Sequence, residues 1–277
     1  MDDVSASYRL LPGAPGSPVL LHVPHSSRVI PAAVRDGIVL DDAALERELD
    51  HITDAYTDRI AGRAADLAAV RSGVRPWTFV NRLSRLVVDP ERFPDEREEM
   101  LAVGMGAVYT RTTHREVLRP AGEDGRPRDG GQALVDGCFH PYATAMTDAV
   151  ADRLAAAGRV VVVDVHSYPS EPLPYELHGD GPRPPICLGT DPFHTPPALR
   201  AAAEEAFAGF GGTGIDSPFA GTYVPLRYYG HDPRVTAVMI EIRRDVYMAE
   251  PGGAAAEPDV ETLAEALARL VDRLTAG

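Results

Sequence analysis

Three runs of apolar residues, each followed by a histidine or a glutamate, constrain the fold of this chain more than any other feature. The runs cover residues 19–23, 160–163 and 238–240, and they lead into His25, His166 and Glu241. Continuous Val, Ile and Leu runs are typical of strands that are buried on both faces of a sheet. Because ligands bind at the carboxyl ends of strands in open α/β sheets, we expect these three side chains to meet at one edge. Two imidazoles that hold a cation and a carboxylate that takes a proton from water are the groups of a metal-assisted hydrolase.

Strands alternate with helices in the rest of the predicted structure. Apolar periodicity predicts a helix over 41–68, capped by Asp41-Asp42, and later helices over 142–157, 197–210 and 260–274. Further strands are predicted at 69–71, at 77–81 or on to 88, at 186–189 and at 235–242. Loops are predicted at 120–132 and 169–185, and residues 211–234 are predicted to be mostly loop. This order predicts a single α/β domain over residues 1–277, with 1–16 as a lead-in segment. Its sheet is mostly parallel, mixed, and covered by helices on both faces.

Charge and composition argue against several classes of protein. The net charge of −14 argues against a nucleic-acid partner. No stretch approaches the roughly 18 apolar residues of a membrane span, and residues 1–4 lack the basic and apolar regions of a secretory signal. We therefore expect a cytoplasmic protein with no membrane partner, in which the two cysteines, Cys138 and Cys187, are reduced thiols.

All 27 basic residues are arginines. This excludes chemistry that needs a lysine amine, and an anionic group on a substrate must be bound by an arginine fork. Arg82, Arg85 and Arg92 flank the apolar residues 86–88. They are candidates for binding a substrate carboxylate in a bidentate manner, and surface ion pairs are the alternative.

The sequence leaves the third ligand of a metal site open. Asp50, Asp54 and Asp58 recur at helical i, i+4 and i+8 spacing, and stacked carboxylates repel one another unless a cation lies nearby. A solvated helix face with nearby arginines explains the same pattern. His51 and Asp54 form a rival i, i+3 ligand pair.

Two carboxylates near the predicted sheet edge have candidate roles. Asp164 lies two residues before His166, on the same side of an extended chain, where a carboxylate can orient a ligating imidazole. Glu241 ends an apolar strand, and a buried glutamate must be either paired or functional. Beside a bound cation it would serve as a general base, whereas a structural salt bridge to Arg243 or Arg244 is the alternative.

Six short segments, in this order, resemble the N-formylglutamate amidohydrolase family. They are Val23-Pro24-His25-Ser26, Thr53-Asp54-Ala55-Tyr56-Thr57-Asp58, Ser84-Arg85-Leu86-Val87-Val88-Asp89 with Arg92, Asp164-Val165-His166-Ser167, Pro218-Phe219-Ala220-Gly221-Thr222-Tyr223, and Ile240-Glu241-Ile242-Arg243 with Tyr247-Met248. The family is similar in fold to zinc carboxypeptidases. The resemblance therefore implies a single α/β domain that uses one zinc ion to activate water.

The resemblance also implies roles for particular residues. His25 and His166 match the metal-binding histidines, Asp54 matches the acidic third ligand, and Glu241 matches the catalytic glutamate. Arg92 would hold the substrate carboxylate, Arg85 would bind the oxyanion or a carboxylate, and Tyr223 would close over the substrate. Glu91 stands where the family usually has asparagine, which leaves the choice between Arg92 and Arg85 open.

We therefore expect a zinc-dependent amidohydrolase that acts on a small anionic N-acyl amino acid. The leading substrate is N-formyl-L-glutamate, whose hydrolysis to glutamate and formate ends one route of histidine breakdown. Two alternatives remain at this point. One is a metallo-amidase or carboxypeptidase with a different N-acyl amino acid or peptide substrate, and the other is a metal-free binding protein on the same fold.

Overall fold

A computed structural model describes residues 7–276 and contains seven strands and seven α-helices in that range. The strands are β1 (Tyr8–Leu11), β2 (Val19–Val23), β3 (Trp77–Asn81), β4 (Val160–Tyr168), β5 (Ile186–Gly189), β6 (Thr213–Ile215) and β7 (Val235–Arg243). The helices are α1 (Ala32–Arg35), α2 (Asp42–Ile52), α3 (Thr57–Ser72), α4 (Gly131–Leu134), α5 (His140–Ala157), α6 (Pro197–Ala206) and α7 (Glu257–Ala276). Short 3₁₀ turns at Glu99–Val103, Ala208–Phe210 and Arg244–Val246, and a π-turn at Val135–Phe139, complete the regular structure.

All seven strands form one mixed sheet in the order β1-β3-β2-β4-β7-β5-β6. The four central strands, β3, β2, β4 and β7, are parallel to one another. The edge strand β1 runs antiparallel to β3, and β5 runs antiparallel to β7. The carboxyl ends of β2, β4 and β7 therefore lie side by side, as the apolar runs predict.

Helices cover both faces of this sheet. On one face, α3, α6 and α7 pack against the odd-numbered valines of β4 (161, 163 and 165) and against Leu21 of β2. On the other face, α5 packs through Tyr142, Met146 and Val150 against Leu20 and the even-numbered valines of β4. Each fully buried Val or Leu stabilises the fold by about 1.5–3 kcal/mol. Together these layers confirm the predicted single α/β domain with a mixed sheet.

Two predictions of secondary structure are wrong. The helix predicted over 41–68 is interrupted, because Thr53 is extended (ψ 132°) and Tyr56 is left-handed (φ 68°) between α2 and α3. The strand predicted at 69–71 lies inside α3, since its short apolar run continues a helix that ends at Gly73. The predicted cap is confirmed, because the Asp41 carboxylate accepts the N–H of Ala44.

The predicted lead-in segment contains part of the sheet, because β1 lies within it. Its first six residues, which include the segment tested for a secretory signal, lie outside the described residues. Both cysteines are free thiols, with Cys138 half-buried and Cys187 buried. No helix between residues 7 and 276 has the length and the apolar character needed to cross a membrane.

Candidate active site

A cavity of about 710 Å³ opens at the carboxyl ends of β2, β4 and β7. His25 lies two residues after the end of β2, His166 lies near the end of β4, and Glu241 pairs with His166 across the β4–β7 register. All three side chains line the cavity. The structure thus brings together the residues that the three apolar runs predict at one edge.

Three ligand-type atoms face one another inside this cavity. His25 Nδ1 lies 3.3 Å from His166 Nδ1 and 3.6 Å from Asp54 Oδ2, and Asp54 Oδ2 lies 3.2 Å from His166 Nδ1. We call these three atoms the Nδ1 triad. Ligands about 2 Å from a tetrahedral zinc ion lie roughly 3.3 Å from one another. The Nδ1 triad therefore has the spacing of three ligands of one small cation.

The interruption between α2 and α3 places Asp54 in the triad. The Asp54 N–H donates to the His25 carbonyl (3.0 Å), and its Oδ1 accepts from Arg244 (3.1 Å). Asp50 instead pairs with Arg28, and Asp58 is exposed on the surface. Of the three aspartates that the sequence leaves open, only Asp54 reaches the histidines.

The other nitrogen of each imidazole faces a buried carboxylate. His25 Nε2 lies 3.0 Å from Asp89 Oδ1, and His166 Nε2 lies 3.0 Å from Asp164 Oδ1, although the latter contact is outside hydrogen-bond geometry. Metal-ligating histidines commonly direct their second nitrogen to a carboxylate in this way.

Glu91 lies near the Nε2 atoms of both imidazoles and forms, together with them, a second set of ligand-type atoms. Its Oε2 lies 3.5 Å from His25 Nε2 and 3.3 Å from His166 Nε2. The two histidines and Glu91 form one group with metal-ligand spacing, and His22, Glu91 and Asp164 form another. From the sequence, Glu91 is notable only because the family usually has asparagine at this position, and no ligand role is predicted for it.

The site carries more negative than positive side chains. Around the two histidines, the carboxylates of Asp54, Asp89, Glu91, Asp164 and Glu241 outnumber the nearby guanidiniums of Arg85, Arg92 and Arg244. Burial lowers the pKa of His166, but Glu91 and Asp164 outweigh burial, so its pKa lies well above the usual value. The pKa of His25 is raised as well, against burial and Arg85, by Asp89 and Glu91. The carboxylates thus favour additional positive charge among them, from either protons or a cation.

Glu241 is a buried carboxylate with one unpaired oxygen. It is 7% exposed, and its Oε2 has no hydrogen-bond partner within residues 7–276. Burial raises the pKa of Glu241 to about 7, against the opposing influence of His166. The salt-bridge alternative is wrong for this side chain, because Arg243 pairs with Asp245 and Arg244 pairs with Asp54.

Two of the three sequence-predicted arginines line the cavity. Arg85 donates to Tyr109 Oη (3.0 Å) and Asp89 Oδ2 (2.8 Å), and Arg92 lies 3.4 Å from the same Asp89 oxygen. Tyr109 also donates a short hydrogen bond to that oxygen. Arg82 is exposed and is not part of the cavity wall.

Tyr223 also lines the cavity, from a loop that lies against the sheet. Its backbone N–H donates to Asp164 Oδ2 (3.1 Å). A Cβ on Gly189 of β5 would overlap the Gly221 carbonyl of the same loop, so only glycine permits this close approach.

Sequence reasoning missed several residues of the site, among them His22, Asp89, Arg227 and the contact of Arg244 with Asp54. His22 interrupts an apolar run, and a polar residue in such a run signals a buried partner. Asp89 and Arg244 show no comparable signal, since their contacts join distant parts of the chain. His51 lines the cavity, but its ring packs on His114 (5.0 Å) and makes no ligand pair with Asp54.

Comparison with known proteins agrees with the hydrolase chemistry that these groups permit. The profile of the N-formylglutamate amidohydrolase family matches residues 17–248. An N-formylglutamate deformylase of Pseudomonas putida is 28% identical over 248 residues, which cover 84% of this chain and 82% of that protein.

Two crystal structures share the fold. An N-formylglutamate amidohydrolase from Ralstonia eutropha has a TM-score of 0.76 at 23% identity and covers 98% of both chains. A gene product from Agrobacterium tumefaciens has a TM-score of 0.68 at 20% identity and covers 98% of this chain and 95% of that one.

The fold and the family profile together define the chain as a hydrolase acting on an amide bond. It belongs to the N-formylglutamate amidohydrolase family.

Proposed function

We propose that this protein is a zinc-dependent deformylase that hydrolyses N-formyl-L-glutamate to L-glutamate and formate. The observation that carries the proposal is the Nδ1 triad of His25, His166 and Asp54 beside the unpaired oxygen of Glu241. The name of the Pseudomonas relative supports the substrate. The cytoplasmic location, the absence of membrane and nucleic-acid partners and the place in histidine breakdown stay predictions.

The donor set supports zinc at the Nδ1 triad. Two imidazole nitrogens and one carboxylate oxygen match zinc's usual ligands and leave a fourth position for water. The outer nitrogens of His25 and His166 face Asp89 and Asp164, which would keep their protons there and the Nδ1 lone pairs free. We therefore favour the Nδ1 triad over the group that includes Glu91. If zinc were held by these three residues, it would lower the pKa of a water molecule and supply positive charge that polarises the amide carbonyl.

Glu241 is proposed as the general base and then the general acid. Its unpaired Oε2 would accept a proton from the attacking water and deliver that proton to the leaving nitrogen. Arg85 would stabilise the oxyanion, since it lies in the cavity wall and is fixed there by Asp89 and Tyr109. Asp164 would keep His166 oriented.

Substrate carboxylates would be bound by Arg92 and covered by Tyr223. Arg92 keeps only long contacts to Asp89 and to Glu98 (3.7 Å), so its guanidinium has donors available for a ligand. Arg227 is a further candidate that the structure adds. It lines the cavity, and among residues 7–276 it forms no ion pair with a carboxylate.

The proposal is tested first by metal content. Elemental analysis of the purified, untagged protein should find about one zinc per chain, and a strong chelator should abolish deformylation until zinc is restored. Asp54→Asn and His166→Ala should lose zinc, whereas Asp58→Asn on the surface should keep it. Full activity of the metal-free protein would overturn the zinc proposal.

A substrate panel then tests the amino acid and the acyl group. N-formyl-L-glutamate should give the highest kcat/KM, ahead of N-formyl-L-glutamine, N-acetyl-L-glutamate and a dipeptide. A site that pairs its arginines with two substrate carboxylates leaves a guanidinium unpaired when one carboxylate is missing. A preference for the acetyl or peptide substrate would favour the alternative amidase, and zinc binding without any turnover would favour a binding protein.

A further inference from the structure

His22 is a fully buried histidine that the proposed chemistry does not use. It lies in β2, is 0% exposed and is absent from the cavity wall. Its neighbours in β2 are leucine and valine. An imidazole in such a strand is costly to bury unless both ring nitrogens have partners.

Both ring nitrogens have close partners. Nδ1 lies 2.8 Å from Asp164 Oδ1, and Nε2 lies 2.6 Å from the hydroxyl of Tyr142 on α5. Tyr142 is 1% exposed, and His22 is the only hydrogen-bond partner of its hydroxyl among the described residues. The Tyr142 O–H must therefore donate to Nε2, because its hydrogen would otherwise be buried without an acceptor.

The direction of the hydrogen bond from Tyr142 to His22 determines the tautomer of His22. A neutral imidazole that accepts at Nε2 carries its proton on Nδ1, and that proton points at Asp164. Hydrogen bonds therefore run from Tyr142 to His22 and from His22 to Asp164. The ring of Tyr223 packs on His22 at 4.8 Å, and the Tyr223 N–H donates to the second oxygen of Asp164.

Asp164 is thereby held by His22 of β2 and by the backbone of Tyr223 while it faces His166. Its Oδ1 accepts from His22 and lies 3.0 Å from His166 Nε2, and its Oδ2 accepts from Tyr223. A carboxylate oxygen 3.0 Å from Nε2 favours, by its charge, the tautomer of His166 that carries its proton on Nε2. The lone pair of His166 Nδ1 then points towards His25 and Asp54.

We propose that His22 and Tyr142 are positioning residues of the amide-hydrolysing site, which fix Asp164 and through it the tautomer and orientation of His166. The proposal rests on the proposed function, in which His166 is a metal ligand. It assigns a role to Tyr142, an aromatic residue of α5 that is absent from the cavity wall.

Hydroxyl and donor deletions test this role with little change in packing. Tyr142→Phe removes only the hydroxyl that orients His22. Tyr8→Phe is the matched control, because Tyr8 packs on the same Phe79 and makes no hydrogen bond or ring contact with His22 in the described part of the chain. The variant His22→Asn retains an N–H donor near the position of Nδ1, whereas His22→Leu has no donor there.

The first readout is metal affinity, measured by competition with a chelator, together with the visible absorption spectrum of the cobalt-substituted protein. We expect about tenfold weaker binding in Tyr142→Phe and a larger loss in His22→Leu, with partial rescue in His22→Asn. The cobalt band should shift in the same order, kcat should fall more than KM changes, and Tyr8→Phe should match the wild type. Thermal unfolding identifies any variant that fails to fold.

The second readout needs no metal. Nitrogen-15 NMR of the imidazoles in the metal-free wild type should find His22 neutral with its proton on Nδ1. A proton on Nε2, or an imidazolium ring, overturns the proposed direction of the hydrogen bonds.

The outcomes separate this proposal from the proposed function. If the wild type binds zinc and deformylates, and Tyr142→Phe and His22→Leu equal it in affinity, spectrum and kcat, the positioning role is wrong. A second zinc per chain that is lost in His22→Asn would also overturn it, because His22 would then be a ligand together with Glu91 and Asp164. A wild type that neither binds metal nor deformylates overturns the proposed function and the positioning role with it.

Discussion

Glu241 and Glu48 are two buried glutamates in different regions of the molecule with opposite surroundings. Burial raises the pKa of each to about 7. Glu48 lies on α2, where its two oxygens accept from the backbone N–H (2.8 Å) and the hydroxyl (2.7 Å) of Thr113. Glu241 lies at the sheet edge with one oxygen unpaired and with His166 as its register neighbour.

The difference shows that burial and a shifted pKa alone do not identify a catalytic carboxylate. Both oxygens of Glu48 are engaged by one threonine, so Glu48 connects α2 to the 105–118 loop and has no oxygen available for a ligand. Glu241 faces a cavity large enough for a substrate. The functional assignment therefore rests on the free oxygen and the neighbouring imidazole.

The largest expected effect is the loss of activity in Glu241→Gln. Glutamine has the same shape but accepts no proton from water, so we expect kcat to fall by about 10²–10⁴-fold with zinc content retained. Glu48→Gln should leave kcat close to the wild-type value. Steady-state kinetics and elemental analysis of both variants test this, and equal losses in the two would remove the distinction between them.

A smaller effect is expected on stability, and it belongs to Glu48. Its pKa is raised from 4.5 to about 7 in the folded state, chiefly by burial, so folding favours the protonated form. The stabilisation is fully present below pH 4.5 and is lost as the pH rises through about 7. The loss amounts to at most roughly 3 kcal/mol.

Urea unfolding of wild type and Glu48→Gln between pH 4.5 and pH 8 checks this sign. The wild type should lose stability relative to the variant as the pH rises, because glutamine can bond to Thr113 without titrating. If the free energies of unfolding of wild type and variant change in parallel over this pH range, Glu48 binds its proton no more tightly in the folded state than in the unfolded state.

The smallest expected effect extends the comparison to arginines. Arg85 is fixed by Asp89 and Tyr109, whereas Arg227 is an exposed residue of the cavity wall without an ion pair in the described part of the chain. Arg227→Gln should raise KM for N-formyl-L-glutamate about tenfold, which corresponds to about 1.4 kcal/mol, with little change in kcat. Arg200→Gln on α6 is the control, and an unchanged KM in both variants would leave Arg92 as the carboxylate-binding candidate.

The sheet edge could be predicted because its signal is local. Runs of valine and leucine mark β2, β4 and β7 as buried parallel strands, and the residues that follow such strands meet at one edge. The sequence alone therefore predicts that His25, His166 and Glu241 lie together.

The position of Asp54 could not be predicted in the same way, because tertiary contacts override the helical period. The aspartates at 50, 54 and 58 continue the spacing of α2, yet the chain leaves the helix at Thr53. Hydrogen bonds from Tyr56 to the Gly253 carbonyl and from Tyr247 to the Ala55 carbonyl hold this interruption. Asp89 joins His25 across 64 residues, a contact for which no local pattern exists.

The order of the strands has a consequence for how the protein acquires its site during folding. His25 and His166 are 141 residues apart in the chain, and Asp54 and Arg244 are 190 apart. Neither half of the chain can present the Nδ1 triad by itself, and loop closure over such distances is slow. Zinc would therefore bind after the central strands have assembled and would slow global unfolding more than it would speed folding.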